Sequence, residues 1–166
     1  MPLTGILRVI SVGLVCLVVS WVLPLHARLS TPTESFDQEY RALLQNTQEL
    51  TDAQRLHALF DLQWKYWMHV YPTWATSVGY PGQDDRWADM SIEAIVRRQK
   101  DLHSPLDVIR SIDRGTLNKA DQINFDLFSK VMKSSLEGAK FKIKYLAVNQ
   151  LEGVHQQIPN VLDSMP

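Results

Sequence analysis

One stretch decides the fold: residues Thr51 to Val70, which read TDAQRLHALFDLQWKYWMHV. It opens with Thr51-Asp52-Ala53-Gln54, a capping-box pattern in which the threonine hydroxyl and the glutamine side chain each satisfy a free backbone N–H. Apolar residues then recur three and four positions apart, which places them on one face of a helix. Pro72 follows and cannot continue that helix. The stretch therefore predicts a long amphipathic helix whose inward residues are Leu56, Leu59, Phe60, Trp64, Trp67 and Val70.

Further helices are predicted on both sides of this stretch. Before it, an imperfect amphipathic segment carries the apolar residues Tyr40, Leu43, Leu44 and Leu50. After it, Ser91 can cap a helix with the inward residues Ile92, Ile95, Val96 and Leu102. Ser104, followed by Pro105 at the first helical position, predicts another helix start. Asn118 can cap one more helix, with an inward stripe of Ile123, Leu127, Phe128 and Val131.

The segment after Gly138 leaves two alternatives open. Its run FKIKY alternates apolar and charged residues, which fits either a short strand or an extended loop. The chain has no internal repeat and no low-complexity tract. The expected fold class is therefore all-α, as a helical fragment of four or five amphipathic helices that follows an N-terminal signal or anchor segment.

Composition limits the classes of function. The 166 residues are enough for one domain, and 17 basic residues against 18 acidic ones give a formal net charge of -1. Such a balance does not favour binding to nucleic acid, which depends on a clear excess of positive charge. The chain has one cysteine, Cys16, within the apolar N-terminal run, so the remainder can form neither a disulfide nor a thiolate metal site.

The N-terminus is predicted to be a targeting segment. Residues Val9 to Leu25 contain no charged side chain, and Pro24 interrupts the run just before Ala27. One interpretation is a cleaved secretory signal that ends at Ala27; the other is an uncleaved membrane anchor through residues 9–25. In domain terms, residues 1–27 are signal peptide or anchor, 28–35 are a polar linker, and 36–166 are the helical part. We expect an exported protein, either periplasmic or anchored to the membrane.

No residue pattern predicts a catalytic or metal site in this chain. Its five histidines include no His-Glu-x-x-His string, whose four-residue step places two zinc ligands on one helix face. Isolated histidines such as His57 and His69 are more often packed or surface residues than ligands. The acids Asp84, Asp85 and Asp89 lack calcium-loop spacing and fit a solvated, helix-capping loop better. We therefore predict no catalytic residue, no metal ligand and no cofactor here.

Aromatic residues form the densest local cluster in the sequence, with seven of the fifteen lying within 24 residues: Trp64, Tyr66, Trp67, Tyr71, Trp74, Tyr80 and Trp87. Rings of this kind can stack on sugars or line a peptide groove. The competing interpretation places Trp64 and Trp67 in the core, since helical spacing explains that pair, and uses the other rings to brace a loop. The candidate binding residues from this cluster are Trp74, Tyr80 and Trp87.

Three segments, in this order, resemble the bacterial "domain of unknown function 885" family. They are YPTWATSVGYPGQDDRWADMS, LNKADQINFDLF and LAVNQLEGVHQQIPNVLDSMP. The family's aromatic-Pro-x-x-Ala-Thr-x-x-Gly turn corresponds to Tyr71, Pro72, Ala75, Thr76 and Gly79. Its Asp/Asn-Tyr-Asp-Leu-type helix corresponds to residues 124–127, and its Asn-Gln-Leu-x-Gly segment to Asn149, Gln150, Leu151 and Gly153. The resemblance covers roughly residues 56–166.

The resemblance implies more than this chain contains. Members of the family look like exported helical zinc metallopeptidases whose His-Glu-x-x-His helix lies far downstream of these segments. Zinc is then expected only in a full-length relative, with a peptide as its substrate. Asn149 and Gln150 join the candidate substrate-channel residues on this basis. We expect Pro166 to be a truncation point within the family's domain.

Two hypotheses of function follow. The first is an N-terminal fragment of an exported, metallopeptidase-like protein that is inactive alone because it lacks the catalytic motif. The alternative is a complete, membrane-tethered helical module that binds a peptide or a glycan through the aromatic cluster.

Overall fold

The computed structural model describes residues 32–141 together with 145, 153, 155, 156 and 158–160. Within these residues the chain has six α-helices and no strand, which confirms the all-α class. The helices are α1 (Pro32–Gln45), α2 (Asp52–Val70), α3 (Pro72–Ser77), α4 (Ile92–Asp101), α5 (His103–Arg110) and α6 (Lys119–Gly138), with a short 3₁₀ turn at Arg114–Thr116. The helix beyond the four or five expected is α3, a single short helix that starts at Pro72.

Several sequence-based expectations concern other parts of the chain. The signal or anchor segment lies outside the described residues, as does most of FKIKY, so its strand-or-loop alternative stays open. The first helix begins at Pro32, within the range predicted as linker. Among the helices in the described part of the chain, none has the length and apolar character needed to cross a membrane.

Three predicted helix caps are confirmed. At the start of α2, the Gln54 N–H donates to the Thr51 hydroxyl at 3.3 Å and the Thr51 N–H donates to the Gln54 side chain at 2.9 Å. Ser91 accepts from the Ala94 N–H at the start of α4. The side chain of Asn118 accepts from the Asp121 N–H at the start of α6. Each side chain satisfies a donor that the first turn leaves unpaired.

The predicted cap at Ser104 is wrong. Helix α5 begins one residue earlier, at His103, and no side chain caps it. The preceding residue, Leu102, is itself in the right-handed helical conformation, so the chain passes from α4 to α5 without the extended residue that a cap requires. Ser104 instead donates its hydroxyl to Asp37 at 2.6 Å, which ties α5 to α1. Pro105 is tolerated because it lies in the first turn.

The core is built around α5, which packs against α1, α2, α4 and α6. Every turn of this short helix contributes to it, because Leu106, Val108 and Ile109 are almost completely buried. The other buried apolar residues are Tyr40 from α1, Leu56, Leu59 and Leu62 from α2, Met132 from α6, and Ile112 and Leu117 from the segment between α5 and α6.

A buried arginine fastens the ends of three helices. Arg55 is 2% exposed, although a charged residue is rarely buried without partners. Its guanidinium donates to the Leu43 carbonyl, to the Asp52 carboxylate at 3.1 Å, and to both the carbonyl and the hydroxyl of Ser111. These bonds link α1, the start of α2 and the end of α5. Arg55 therefore replaces lost hydration with a nearly complete set of hydrogen bonds.

Three of the predicted inward faces are wrong in part. On α2, Trp64 is exposed. On α4, Ile92 is exposed and Ala94 is the buried residue. On α6, the predicted stripe of Ile123, Leu127 and Val131 is exposed, and only Phe128 packs against the core. The helix is instead rotated so that Met132 is buried, with Phe125 and Leu136 beside it. The reason is that α6 carries apolar residues on more than one side, and packing against α5 selects between them.

Candidate functional site

An apolar face on α2, α3 and α6 is only partly covered by the described residues. We define the apolar face as the side chains of Phe60, Trp64, Trp67, Trp74, Leu127, Phe128 and Val131. Leu127 is 59% exposed, Val131 43%, Trp74 41% and Trp64 39%. Large contiguous apolar surface of this kind typically marks a contact site.

The apolar face exists because α2 has two apolar stripes. One stripe, represented by Leu59 and Leu62, is buried in the core. The other, represented by Phe60 and Trp67, lies towards α6 and is only partly buried. A helix that is apolar on both sides needs a second partner to cover the second stripe. Among the described residues, α6 covers that stripe at its edge and leaves the rest open.

A groove of about 350 Å³ runs between α2 and α6 within the apolar face. It is lined by Phe60, Trp67, Asn124, Leu127, Phe128 and Val131. The rings of Phe60 and Phe128 form its floor, with their centroids 5.2 Å apart. Asn124 is the single polar lining residue, so the groove offers apolar contact and one amide rather than acid–base or nucleophilic groups.

Tryptophans extend the apolar face beyond the groove. Trp74 packs edge-on against Trp64, with the ring centroids 5.4 Å apart, and tilts towards Trp67 at 6.3 Å. This contact joins α3 to α2 and leaves Trp74 partly exposed. Trp67 packs against the core, as the core interpretation expects. For Trp64 that interpretation is wrong, because this side chain is exposed.

The other two candidates from the aromatic cluster, Tyr80 and Trp87, make no ring contact with Trp74. Trp87 is 52% exposed in the loop before α4, and no described ring packs against it. Tyr80 is half-buried just after α3. Asn149 and Gln150 lie outside the described residues. The structure thus brings Trp74 together with Trp64 and Trp67, which were interpreted as core, and with the α6 residues Leu127 and Val131, which were predicted to point inward.

The Tyr71-to-Gly79 motif forms the turn at the end of α3. Pro72 occupies the first helical position, and Ala75 is fully buried. The Tyr80 N–H donates to the Ala75 carbonyl at 2.8 Å and the Gly79 N–H to the Thr76 carbonyl at 3.0 Å, which is the Schellman arrangement. Gly79 has φ +74°, a conformation that favours glycine. The motif residues therefore have structural roles.

Two side-chain hydrogen bonds connect α2 to α1 and to α4. The Tyr40 hydroxyl donates to Gln63 at 3.0 Å, and the Tyr66 hydroxyl donates to Asp101 at 2.8 Å. Burial, followed by the hydrogen bond to Asp101, raises the pKa of the Tyr66 hydroxyl. Burial also raises the pKa of the Asp101 carboxyl, against the opposing effect of the bond from Tyr66. Each of the two hydroxyls therefore has a hydrogen-bond partner within the protein.

Histidines and acids form small, separate contacts. His57 Nε2 lies 3.0 Å from Asp121 Oδ1, and that carboxylate also accepts from Asn118. His69 Nδ1 faces Arg86 at 3.2 Å, and burial together with this guanidinium lowers the pKa of His69. Within the residues that the structure describes, no three His, Cys, Asp or Glu side chains gather in a way that could hold a metal ion. These residues therefore do not fit a zinc site.

The acids of the loop before α4 serve local structure. Asp84 accepts a hydrogen bond from the Thr76 hydroxyl, which fixes the loop to α3. Asp89 accepts from the Ser91 N–H at 2.9 Å, and this bond is the main reason that the pKa of Asp89 lies below its usual value. Both contacts agree with the prediction of a solvated loop that supports a helix start.

Comparison with known proteins places the chain in a family. A family model described as "Bacterial protein of unknown function (DUF885)" matches residues 72–166, which is more than half of the chain and includes α3 to α6. No curated protein and no solved structure matches the chain. On the extent of that match, the chain belongs to the DUF885 family of bacterial proteins of unknown function.

Proposed function

We propose that this chain is the N-terminal helical part of an exported, zinc metallopeptidase-like protein, and that it contributes binding surface rather than catalytic groups. The observation that carries the proposal is the apolar face. Its exposed Leu127, Val131 and Trp74 form a surface suited to covering by another apolar surface, and its groove lacks catalytic side chains. The metallopeptidase character rests on the family resemblance alone.

The apolar face is proposed to pack against the part of the protein that holds zinc. Helices with a second apolar stripe reach their lowest free energy when a neighbour removes that stripe from water. The groove between α2 and α6 can accept the side chains of a third helix between its two walls. A peptide substrate would then be bound at the edge of this contact, near Trp74, where ring surface stays accessible.

The protein is proposed to act outside the cytoplasm. The support is the uncharged run from Val9 to Leu25, which is either removed as a signal or kept as an anchor. Mass spectrometry of the chain recovered from bacterial periplasmic and membrane fractions tests this. A periplasmic product that begins after Ala27 supports the signal, and an intact product in the membrane supports the anchor. Recovery from the cytosol alone contradicts export.

The experiment that tests the function starts from the gene. Nucleotide sequence beyond the codon for Pro166 is read, and the product of any continuing frame is assayed for zinc-dependent peptide hydrolysis. The proposal expects a His-Glu-x-x-His string and zinc-dependent activity in the longer product, with no activity in residues 1–166. Hydrolysis by the 166-residue chain itself, or a continuing frame without the motif, would contradict the proposal.

A substitution in the apolar face tests its assigned role separately. Leu127→Glu is expected to leave the stability of the 166-residue chain nearly unchanged, because this side chain is exposed. In the longer product the same change is expected to destabilise, because a charge would be buried in the proposed contact. Asp107→Leu, a change of charge at an exposed position on α5, is the control. Equal effects in both products would remove the contact from the account.

A second candidate function is favoured by the exposed rings of Trp74 and Trp87. In this account the chain is a membrane-tethered module that binds a peptide or a glycan. Tryptophan fluorescence is measured while the chain is titrated with a defined ten-residue apolar peptide or with maltohexaose. Saturable binding that Trp74→Ala abolishes and Trp74→Phe retains would support this module. No response to either probe would exclude these two ligands.

A further inference from the structure

A second concave site lies between α5 and α6, on the opposite side of α6 from the apolar face. It has a volume of about 470 Å³, within the range of small-ligand pockets. Its floor is the buried Ile109 together with Phe125, and its wall carries the cations Arg110, Lys130 and Lys133. We infer that this pocket binds an amphiphilic carboxylate, that is, a molecule in which one carboxylate is joined to an apolar group. The apolar group would lie on Ile109 and Phe125, and the carboxylate would lie at Lys130 and Lys133.

Two of the cations around the pocket have no acidic partner among the described residues. Asp126 is already paired with Arg114, whose Nε and Nη2 donate to the two carboxylate oxygens at 2.8 Å each. This bidentate pair neutralises the acid at the rim. Lys130 and Lys133, by contrast, make no ion pair with any described residue. The two ammonium groups are therefore available to an external anion.

The two lysines are placed to hold one carboxylate. Residues three apart on a helix are surface neighbours, so both ammonium groups can approach the same anion. Arg110 stands across the pocket on α5, and its pairing with Asp107 is a long one of 3.4 Å between exposed side chains. Such a pair is weak and exchanges easily for a ligand carboxylate. Glu137 lies one turn beyond Lys133, and its charge disfavours the carboxylate at that end of the pocket.

The floor accounts for the apolar part of the ligand. Ile109 is 1% exposed and Phe125 packs against the core, so both hold fixed positions. Ser129 is also buried and lines the same pocket. An apolar side chain or ring that covers this floor loses contact with water while its carboxylate stays at the lysines. A peptide C-terminus and a free arylalkanoic acid share this chemistry.

Equilibrium dialysis measures ligand binding to the full chain and so tests the inference. The chain is held in zwitterionic lipid nanodiscs because residues 9–25 are a predicted signal or membrane anchor, and empty nanodiscs are the blank. The probes are radiolabelled N-acetyl-leucyl-phenylalanine and 4-phenylbutanoate, and the amide of each is the control for charge. We expect saturable binding of at least one acid, about tenfold weaker binding of its amide, and weaker binding as salt is raised. Preference for the dipeptide identifies a peptide C-terminus, and preference for 4-phenylbutanoate identifies a free carboxylic acid.

Variants locate the binding. Lys130→Met with Lys133→Met is expected to weaken binding of the acid by about tenfold or more, whereas Lys119→Met, on the same helix outside the pocket, leaves it unchanged. Arginine at both positions keeps the charge and is expected to retain binding. Circular dichroism confirms that each variant is folded. The inference is overturned if neither acid binds, if acid and amide bind equally, or if Lys119→Met weakens binding as much as the double variant.

Discussion

Two substitutions on one helix test whether the apolar face is open to solvent. Leu127 and Met132 both belong to α6. Leucine and methionine have similar helix propensities, so replacement of either by alanine changes the helix propensity by a similar amount. Met132 is 1% exposed, whereas Leu127 is 59% exposed. The comparison therefore isolates burial as the difference between the two changes.

The magnitudes follow from those exposures. Met132→Ala removes a fully buried side chain and leaves a cavity, so it is expected to lower the free energy of unfolding by about 2–5 kcal/mol. Full burial of a leucine is worth about 1.5–3 kcal/mol, and Leu127 is less than half buried. After the slight helix preference of alanine over leucine is allowed for, Leu127→Ala should cost less than about 1 kcal/mol.

Urea denaturation of the full chain, followed by circular dichroism at one fixed concentration of non-ionic detergent, gives both free energies. The free energy of unfolding of each variant is compared with that of the unchanged chain, on the condition that their m-values agree. Destabilisation by Leu127→Ala as large as that by Met132→Ala would refute the reasoning, because it would show that the apolar face is covered in the chain itself.

Three further predictions concern particular residues. Gly79→Ala is expected to destabilise by about 1 kcal/mol, because Gly79 has φ +74°, whereas Gly138→Ala at the end of α6 should be neutral or stabilising; equal thermal shifts would contradict this. Arg55→Met should cost about 2–4 kcal/mol by urea denaturation, against less than about 1 kcal/mol for the exposed Arg41→Met, and similar costs would refute the role of the buried guanidinium. Because burial raises the pKa of Asp101 in the folded chain, the stability that its protonated form contributes is present at low pH and is lost as pH rises through that pKa; Asp101→Asn should therefore gain stability relative to the unchanged chain as pH rises above about pH 4, and a constant difference would contradict the assignment.

Local signals predicted much of the fold. The caps at Thr51, Ser91 and Asn118 depend on side chains that bond backbone groups three residues away, so the sequence contains nearly everything that determines them. The predicted cap at Ser104 is wrong because its outcome depends on Leu102, whose helical conformation joins α4 directly to α5. Ser104 has a partner on α1, Asp37, and sequence spacing does not reveal such a contact.

The apolar face could be predicted only in part. Aromatic density pointed to Trp74, and the structure places it against Trp64 at the edge of that face. Leu127 and Val131 were predicted to point inward because their spacing is helical. Phe125, Met132 and Leu136 form a competing set on the same helix, and this set is the signal that α6 has two apolar sides. Which of the two sets is buried depends on how α6 packs against α5. The spacing of apolar residues within α6 gives no information on that packing.

The buried polar groups were not predictable from pattern. Arg55 is a charged residue, which would ordinarily be assigned to the surface. Its burial depends on carbonyl and hydroxyl partners at Leu43 and Ser111, far from it in sequence. The pocket between α5 and α6 is likewise a product of packing, since Arg110 and Lys133 meet only when the two helices are side by side.

The measurement that tests the central claim most directly is the binding of a hydrophobic dye to the apolar face. Fluorescence of 1-anilinonaphthalene-8-sulfonate is recorded in zwitterionic nanodiscs with the full chain and with Leu127→Ser/Val131→Ser, with empty nanodiscs subtracted. The account predicts strong dye fluorescence with the unchanged chain and its loss in the double variant, at an unchanged thermal transition. Absence of dye binding by the unchanged chain, or equal binding by the folded double variant, would contradict an exposed apolar docking face.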